Sequence, residues 1–532
     1  MKRVMGVLLV VALSVGLGLI AVAQQRGGQL TISFGHHSPD VDLAFTPSHA
    51  NNGGWPVLQR LFEWKWDNSE FVPLLASCWE VSEDSTTYTV TMRGGVKWHD
   101  GTPFTAEDVL FSWNTLLHPD VPTILQVPGA TAKLVGYDAY KEGKADSIAG
   151  ISIVDGNKVE FKLKSPDATF INELAWLRII PKHLLEGIPP NVLVENDFWQ
   201  NPIGTGPFKF ERAVSGEYME FVRWDDYYLG APYLDRLIIR PLVDGATRVL
   251  RVESGETDVI EVPPDQIEYL QGFSHTQVVI VPSAKTRGLE WVHVKPDIGD
   301  PRVRTAIMKA LDVPTLVDTI IGPGGTPTEL FTTGYWQLPE GEYEPWGYDP
   351  QGAMDLLEEA RQDGTWTDRE IEIQTYYPDP VYTALLEAMQ GYLAAVGIDM
   401  TLRVVDDPTH INEFYVNFTT DAALTATWGG PDPSAMADML SSANLYPAGW
   451  NGSFSDPRFD MLLDWGATEG DQELRREIYW QLQRLAHEVV PMAPMWNVNY
   501  AYTVPTRAHN VYIGPDVPKP HYKQAHLWWV DQ

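Results

Sequence analysis

Cysteine is nearly absent: Cys78 is the only one among 532 residues. No intramolecular disulfide can form, so stability must come from a buried apolar interior, which a chain of this length can build. Beside Ala76 and Trp79, Cys78 reads as a small buried apolar side chain. Basic residues are also scarce. Lys and Arg number 38 against 71 Asp and Glu, a net charge of −33. That excludes nucleic acid and anionic membrane surfaces as partners. The acid excess names no ligand, because dispersed carboxylates mainly keep a protein soluble. After the first two dozen residues no apolar run is long enough to span a bilayer. Internal repeats, low-complexity tracts and long linkers are missing too, which at this length points to several interleaved domains.

Catalytic signatures are likewise missing. There is no Gly-x-Ser-x-Gly elbow and no His-Glu-x-x-His, and Gly204-x-Gly206 lacks the third glycine of a nucleotide loop. His99 beside Asp100 could suggest a base or metal ligand, but no second His or Cys sits at ligand spacing from it. The 13 histidines are scattered, against a nickel ligand. No catalytic residue, metal or cofactor is expected.

What the chain does have begins at its start. Met1-Lys2-Arg3 is basic, Val4 to Ala23 is apolar, and Ala21-Val22-Ala23 offers small residues at the first and third places of a cleavage triplet. This reads as a secretory signal over 1–23, cut after Ala23. The first mature residue would be Gln24 and not cysteine, so the expectation is a free periplasmic or extracytoplasmic protein rather than a lipoprotein. Tryptophan is abundant, 20 residues, and concentrates in cores and ligand sites.

Local patterns predict a mixed α/β chain. Gln29–Phe34, Tyr88–Met92 and Lys158–Leu163 alternate as strands, the last behind an Asp155-Gly156-Asn157 hairpin turn. Asp300-Pro301 and Asp349-Pro350 each place an N-cap before a proline that needs no backbone donor. Ile371–Tyr376, Val381–Val396 and Ile398–Val405 read as strand, helix and strand, a parallel βαβ unit with Gly397 stopping the helix.

Several runs resemble the extracytoplasmic solute-binding proteins of family 5, the peptide, nickel and oligosaccharide binders of ABC importers. Arg93-Gly94-Gly95-Val96-Lys97-Trp98-His99-Asp100-Gly101-Thr102-Pro103-Phe104-Thr105-Ala106-Glu107-Asp108-Val109 is similar to the family's signature. Gly204-Thr205-Gly206-Pro207-Phe208, Ser254–Asp258, Asp300–Arg304, Asp456–Asp460 and Pro491–Pro494 follow in the family's order. The signature also has a local reading, as a turn followed by a capped helix start with Asp108 three residues after Thr105. The resemblance implies a two-lobed periplasmic-binding-protein fold with an extra third domain, its discontinuous lobes joined by two hinge strands. The first lobe would combine 24–70, 201–283 and 501–532, the extra domain 71–200, and the second lobe 284–500. It further implies a monomer that closes on its ligand and delivers it to a membrane permease.

In peptide-binding relatives a Trp-x-x-Asp loop supplies the aspartate for the peptide's amino group. Here the corresponding loop is Trp428-Gly429-Gly430-Pro431-Asp432-Pro433. The expected aspartate is Gly430 or is missing, and Asp432 reads as a helix cap. A buried ammonium would then be poorly compensated. Trp428, Gly429, Gly430, Trp450, Asn451, Tyr335 and Trp336, with Asn52 and Trp55 of the first lobe, are the expected ligand contacts. Aromatic rings beside Gly- and Asn-rich loops suit sugar faces and hydroxyls, so an oligosaccharide is the favoured ligand, with a di- or oligopeptide as the alternative. The rival class is a secreted glycoside hydrolase working with two carboxylates.

Overall fold

The computed structural model describes residues 26–34, 54–65, 70–121, 131–214, 217–242, 244–427, 432–514 and 521–531. The expected export signal lies outside these residues. Among them, no helix is long and apolar enough to cross a membrane.

Three sheets organise the chain, each over its own apolar cluster. A five-stranded sheet takes Gln29–Phe34 between Val259–Ile260 and Arg236–Pro241, both parallel to it, and ends in the antiparallel hairpin Tyr218–Arg223 and Phe208–Val214. A four-stranded antiparallel sheet runs Ala76–Val81, Thr87–Met92, Lys158–Lys162 and Ile151–Val154. The turn closing its last hairpin has Asp155 and Gly156 at φ 53° and 71°, the conformation that Asp-Gly favours. Helix Ala106–Leu116 packs on this sheet, with Trp113 buried against Phe161 and Phe170. The third sheet has six strands, in the order Gly325–Pro327, Met492–Pro505, Thr276–Trp291, Ala422–Thr427, Ile371–Thr375 and Met400–Val404.

The βαβ unit is present: Ile371–Thr375 pairs in parallel with Met400–Val404 across helix Pro380–Ala395, and Gly397 follows at φ 83°. Asp300 and Asp349 cap helices Pro301–Ala310 and Pro350–Gln362, accepting from the amides of Arg302 and Gly352. Cys78 departs from expectation. It is exposed, because Ala76–Val81 is the edge strand and a bulge between Ala76 and Cys78 breaks the inward alternation.

Two long strands tie the lobes together. Thr276–Trp291 and Met492–Pro505 pair along most of their length, with a register shift between Pro282 and Thr286. Before that shift they lean on the first lobe, where the Ile260 amide donates to Thr503 Oγ1 at 3.0 Å. After it they form the centre of the six-stranded sheet. A break of register between two paired strands is where a bend is easiest.

Candidate ligand cavity

A cavity of about 1140 Å³ opens where the three sheet-bearing bodies meet. The first lobe contributes Trp55, Gln59 and Tyr227, and the region of the four-stranded sheet contributes Asp167, Glu173 and Trp176. The second lobe contributes Asp432, Ser434, Tyr446 and Trp450. Among the described residues, a backbone hydrogen bond joins the region of the four-stranded sheet to the second lobe, from the Ala168 amide to the Ala467 carbonyl at 2.8 Å.

The signature motifs act here by scaffolding. Gly204 and Gly206 lie so close to Pro56 and Val57 that a Cβ would come within 1.8 and 2.2 Å of their carbonyl oxygens. Only glycine allows that approach. His99 bonds Gly206 O at 2.9 Å and the Gly204 amide at 3.3 Å, and burial pulls its imidazole down to about 4, so it stays neutral. The two motifs therefore clamp the segment that begins at Trp55. Asp108 accepts from the Thr105 amide at 2.8 Å and from the Lys182 amide at 3.1 Å, joining the helix start to the next element.

The expected ligand contacts divide. Trp55 and Trp450 line the cavity. Trp450 is 36% exposed and packs edge-on against Tyr415 and tilted against Tyr446, at 5.7 and 5.9 Å between ring centres. Asn451 lies behind it at 0% exposure. Its amide donates to the Ser441 and Phe454 carbonyls at 2.9 and 2.8 Å and accepts from the Phe454 amide. Both of its amide hydrogens and its carbonyl oxygen are thereby committed to shaping the loop. Trp336 does not line the cavity: it is 6% exposed, with its ring 5.1 Å from the Arg475 guanidinium and packed on Tyr479. Tyr335 is also away from the cavity, donating to Glu473 at 3.0 Å beneath Arg476. Both were drawn to helix Gln472–Val489, whose buried face needs aromatic cover. Asn52, Trp428, Gly429 and Gly430 lie outside the described residues.

Asp432 has two duties. It caps the turn Pro433–Met436 by accepting from the Ser434 amide at 2.9 Å. It also grips Arg475 through two bonds of 2.6 and 2.7 Å, with both side chains buried. Burial acts against both charges, but the pair holds Asp432 below the usual carboxylate range.

Sequence reasoning missed the opposite wall. Glu173 and Trp176 stand on the short helix Ile171–Trp176, and Arg178 follows it, pairing along the backbone with Arg60. Burial and the Arg60 guanidinium pull Arg178 down to about 9. Glu173 is 7% exposed, and burial pushes its carboxyl up to about 8. A six-residue helix with one acid carries no pattern that distinguishes a cavity wall from a surface turn.

The chain matches the profile of the bacterial extracellular solute-binding proteins, family 5 middle, over residues 70–465. It belongs to that family, whose members are the solute-binding components of ABC transporters. A putative ABC transporter peptide-binding protein of Brucella ovis is 30% identical over 458 residues, covering 85% of this chain and 83% of that protein. The dipeptide-binding protein of Escherichia coli is 26% identical over 504 residues, covering 90% and 91%. The structure of MppA, a periplasmic murein tripeptide binding protein, superposes with a TM-score of 0.81 at 20% identity, covering 95% of this chain and 98% of that one. That likeness establishes the multi-domain α/β fold.

Proposed function

We propose that this protein captures a short peptide in the cavity between its lobes and delivers it to the permease of an ABC importer. The observation that carries the reading is basic and acidic side chains in one cavity: Arg60, Arg178 and Lys523 line the same space as Glu173 and Asp167. A zwitterionic ligand offers a group of the right sign to each kind of side chain on such a wall, whereas a neutral sugar offers neither. The relatives named for peptides support the same choice, and the oligosaccharide expectation gives way to the peptide alternative. The cavity has room for a short peptide with bridging water. Trp55, Trp64, Trp176 and Trp450 also line it, and their faces suit apolar side chains as well as sugar rings.

Calorimetric titration with short peptides and with neutral oligosaccharides tests the reading. Peptide heat without sugar heat is the expected result, and tight sugar binding alone would overturn it. Secretion with cleavage after Ala23 belongs to the same proposal. N-terminal sequencing of protein recovered from the extracytoplasmic fraction should begin at Gln24, and material retaining Met1 would count against it.

A further inference from the structure

Three buried carboxyls line the cavity, Asp167, Glu173 and Asp432, exposed by 1%, 7% and 7%. Two of them are spoken for. Asp432 is held by Arg475 through two bonds of 2.6 and 2.7 Å. Asp167 forms an ion pair of 2.8 Å with Lys133 and accepts from the Thr169 amide and hydroxyl at 2.7 and 2.6 Å. Glu173 differs. Its carboxyl accepts a 3.2 Å bond from the Thr131 hydroxyl, and it forms no ion pair among the described residues. A carboxylate accepts up to about four hydrogen bonds, so most of that capacity is unused. The nearby charge that acts on it is a second acid, Asp167, which opposes ionisation as burial does.

A buried acid with no cationic partner is held neutral by its surroundings, and it becomes a strong acceptor once a cation is placed against it. The geometry points to Glu173 as the acceptor for a cationic group of the ligand, the amino terminus of a bound peptide, on the wall facing Asp432 and Trp450. The inference rests on the peptide reading for the identity of the ligand. The step is a proton exchange. Free Glu173 carries a proton at neutral pH, because its carboxyl is raised to about 8. The incoming ammonium keeps its own protons, the carboxyl proton leaves to the buffer, and the complex holds a carboxylate–ammonium pair. Binding therefore releases close to one proton per ligand near pH 6.5, falling toward zero above the free carboxyl's own titration. A purely structural Glu173 would release none.

The test titrates di-, tri- and tetra-alanine, their N-acetylated forms and cadaverine into the full protein and into Glu173→Gln. Buffers of different ionisation heat count the proton, and thermal melting of the free variant checks its fold. The expected result is proton release on binding of the free peptides and a loss of about 30-fold in affinity on acetylation, of the size seen when one partner of a buried charge pair is removed. The glutamine variant should melt no lower than the parent, lose affinity for the free peptides to a similar degree and release no proton. Peptides that bind both proteins alike, or bind equally when acetylated, would overturn the role of Glu173 and leave the peptide reading intact. Cadaverine binding to the parent but not the variant, with no peptide binding, would keep Glu173 and overturn the peptide reading. No binding of any cationic probe would overturn both.

Discussion

Two buried glutamates sit on opposite sides of the cleft, and they are used differently. Glu290, on the central strand of the second lobe, is 4% exposed and receives the Tyr415 hydroxyl at 3.1 Å and the Thr425 hydroxyl at 3.4 Å, with the Gly452 amide also donating. Glu173, on the facing wall, has the Thr131 hydroxyl. Burial pushes both carboxyls up to about 8. Burial and a raised pKa therefore do not separate a structural acid from a binding one. Unused acceptor capacity and a place on the cavity do. Glu290 lies one layer back, where Tyr415 links it to Tyr446 and Trp450. The second lobe's wall thus presents rings on a loop braced by Asn451, while the facing wall holds a buried carboxyl whose acceptors are largely unused.

The largest way to break that contrast is to remove the ion pair beneath the second wall. Asp432→Ala leaves Arg475 buried without its carboxylate and should cost about 3–5 kcal/mol. Denaturant unfolding measures it, and a loss under 1 kcal/mol would mean the pair is not buried in solution. Next come two tryptophans that the sequence could not tell apart. Trp336→Ala empties a core position and should cost roughly 3–5 kcal/mol of stability with little direct effect on ligand contact. Trp450→Ala should leave melting nearly unchanged and weaken the ligand about tenfold, the loss expected for one contact ring. If the two variants exchange these phenotypes, the division between core and cavity is wrong.

pH gives a smaller effect. Glu173 and Glu290 have folded values raised from 4.5 to about 8, so their contribution is present below the lower value and lost as pH rises through the upper one. His99 and His410 are buried and lowered from 6.5 to about 4, so theirs is present above 6.5 and lost as pH falls through 4. Melting temperature should therefore peak at mildly acidic pH and fall on both sides. Glu173→Gln should flatten only the alkaline side, and a variant with an unchanged alkaline slope would argue that Glu173 is solvated. The smallest signal is global. Ligand that bridges both walls should reduce the radius of gyration in X-ray scattering, by bending at the register shift between Pro282 and Thr286. An unchanged radius at saturation would mean the lobes do not move.

Much of the architecture could be read in advance because it depends on short-range rules. Alternation placed Gln29–Phe34, the Asp-Pro pairs placed two helix starts, and strand, helix and strand in succession required a parallel unit. The solute-binding class followed from motifs that turn out to be scaffolding, the His99 turn locking onto Gly204 and Gly206. The site was less legible. Aromatic residues next to glycine gave the same signal at Trp336, which is core, and at Trp450, which faces the cavity.

What the sequence determined by itself was the set of local elements, the excess of acid and the absence of a disulfide, since each depends on neighbours a few residues apart or on composition alone. Only the tertiary structure decided which polar groups are spent. Asp432 meets Arg475, Asp167 meets Lys133 and Asn451 meets Phe454, while Glu173 keeps its acceptors for the cavity. Whether a buried charge is paired depends on partners brought together from distant parts of the chain, and no local pattern records that.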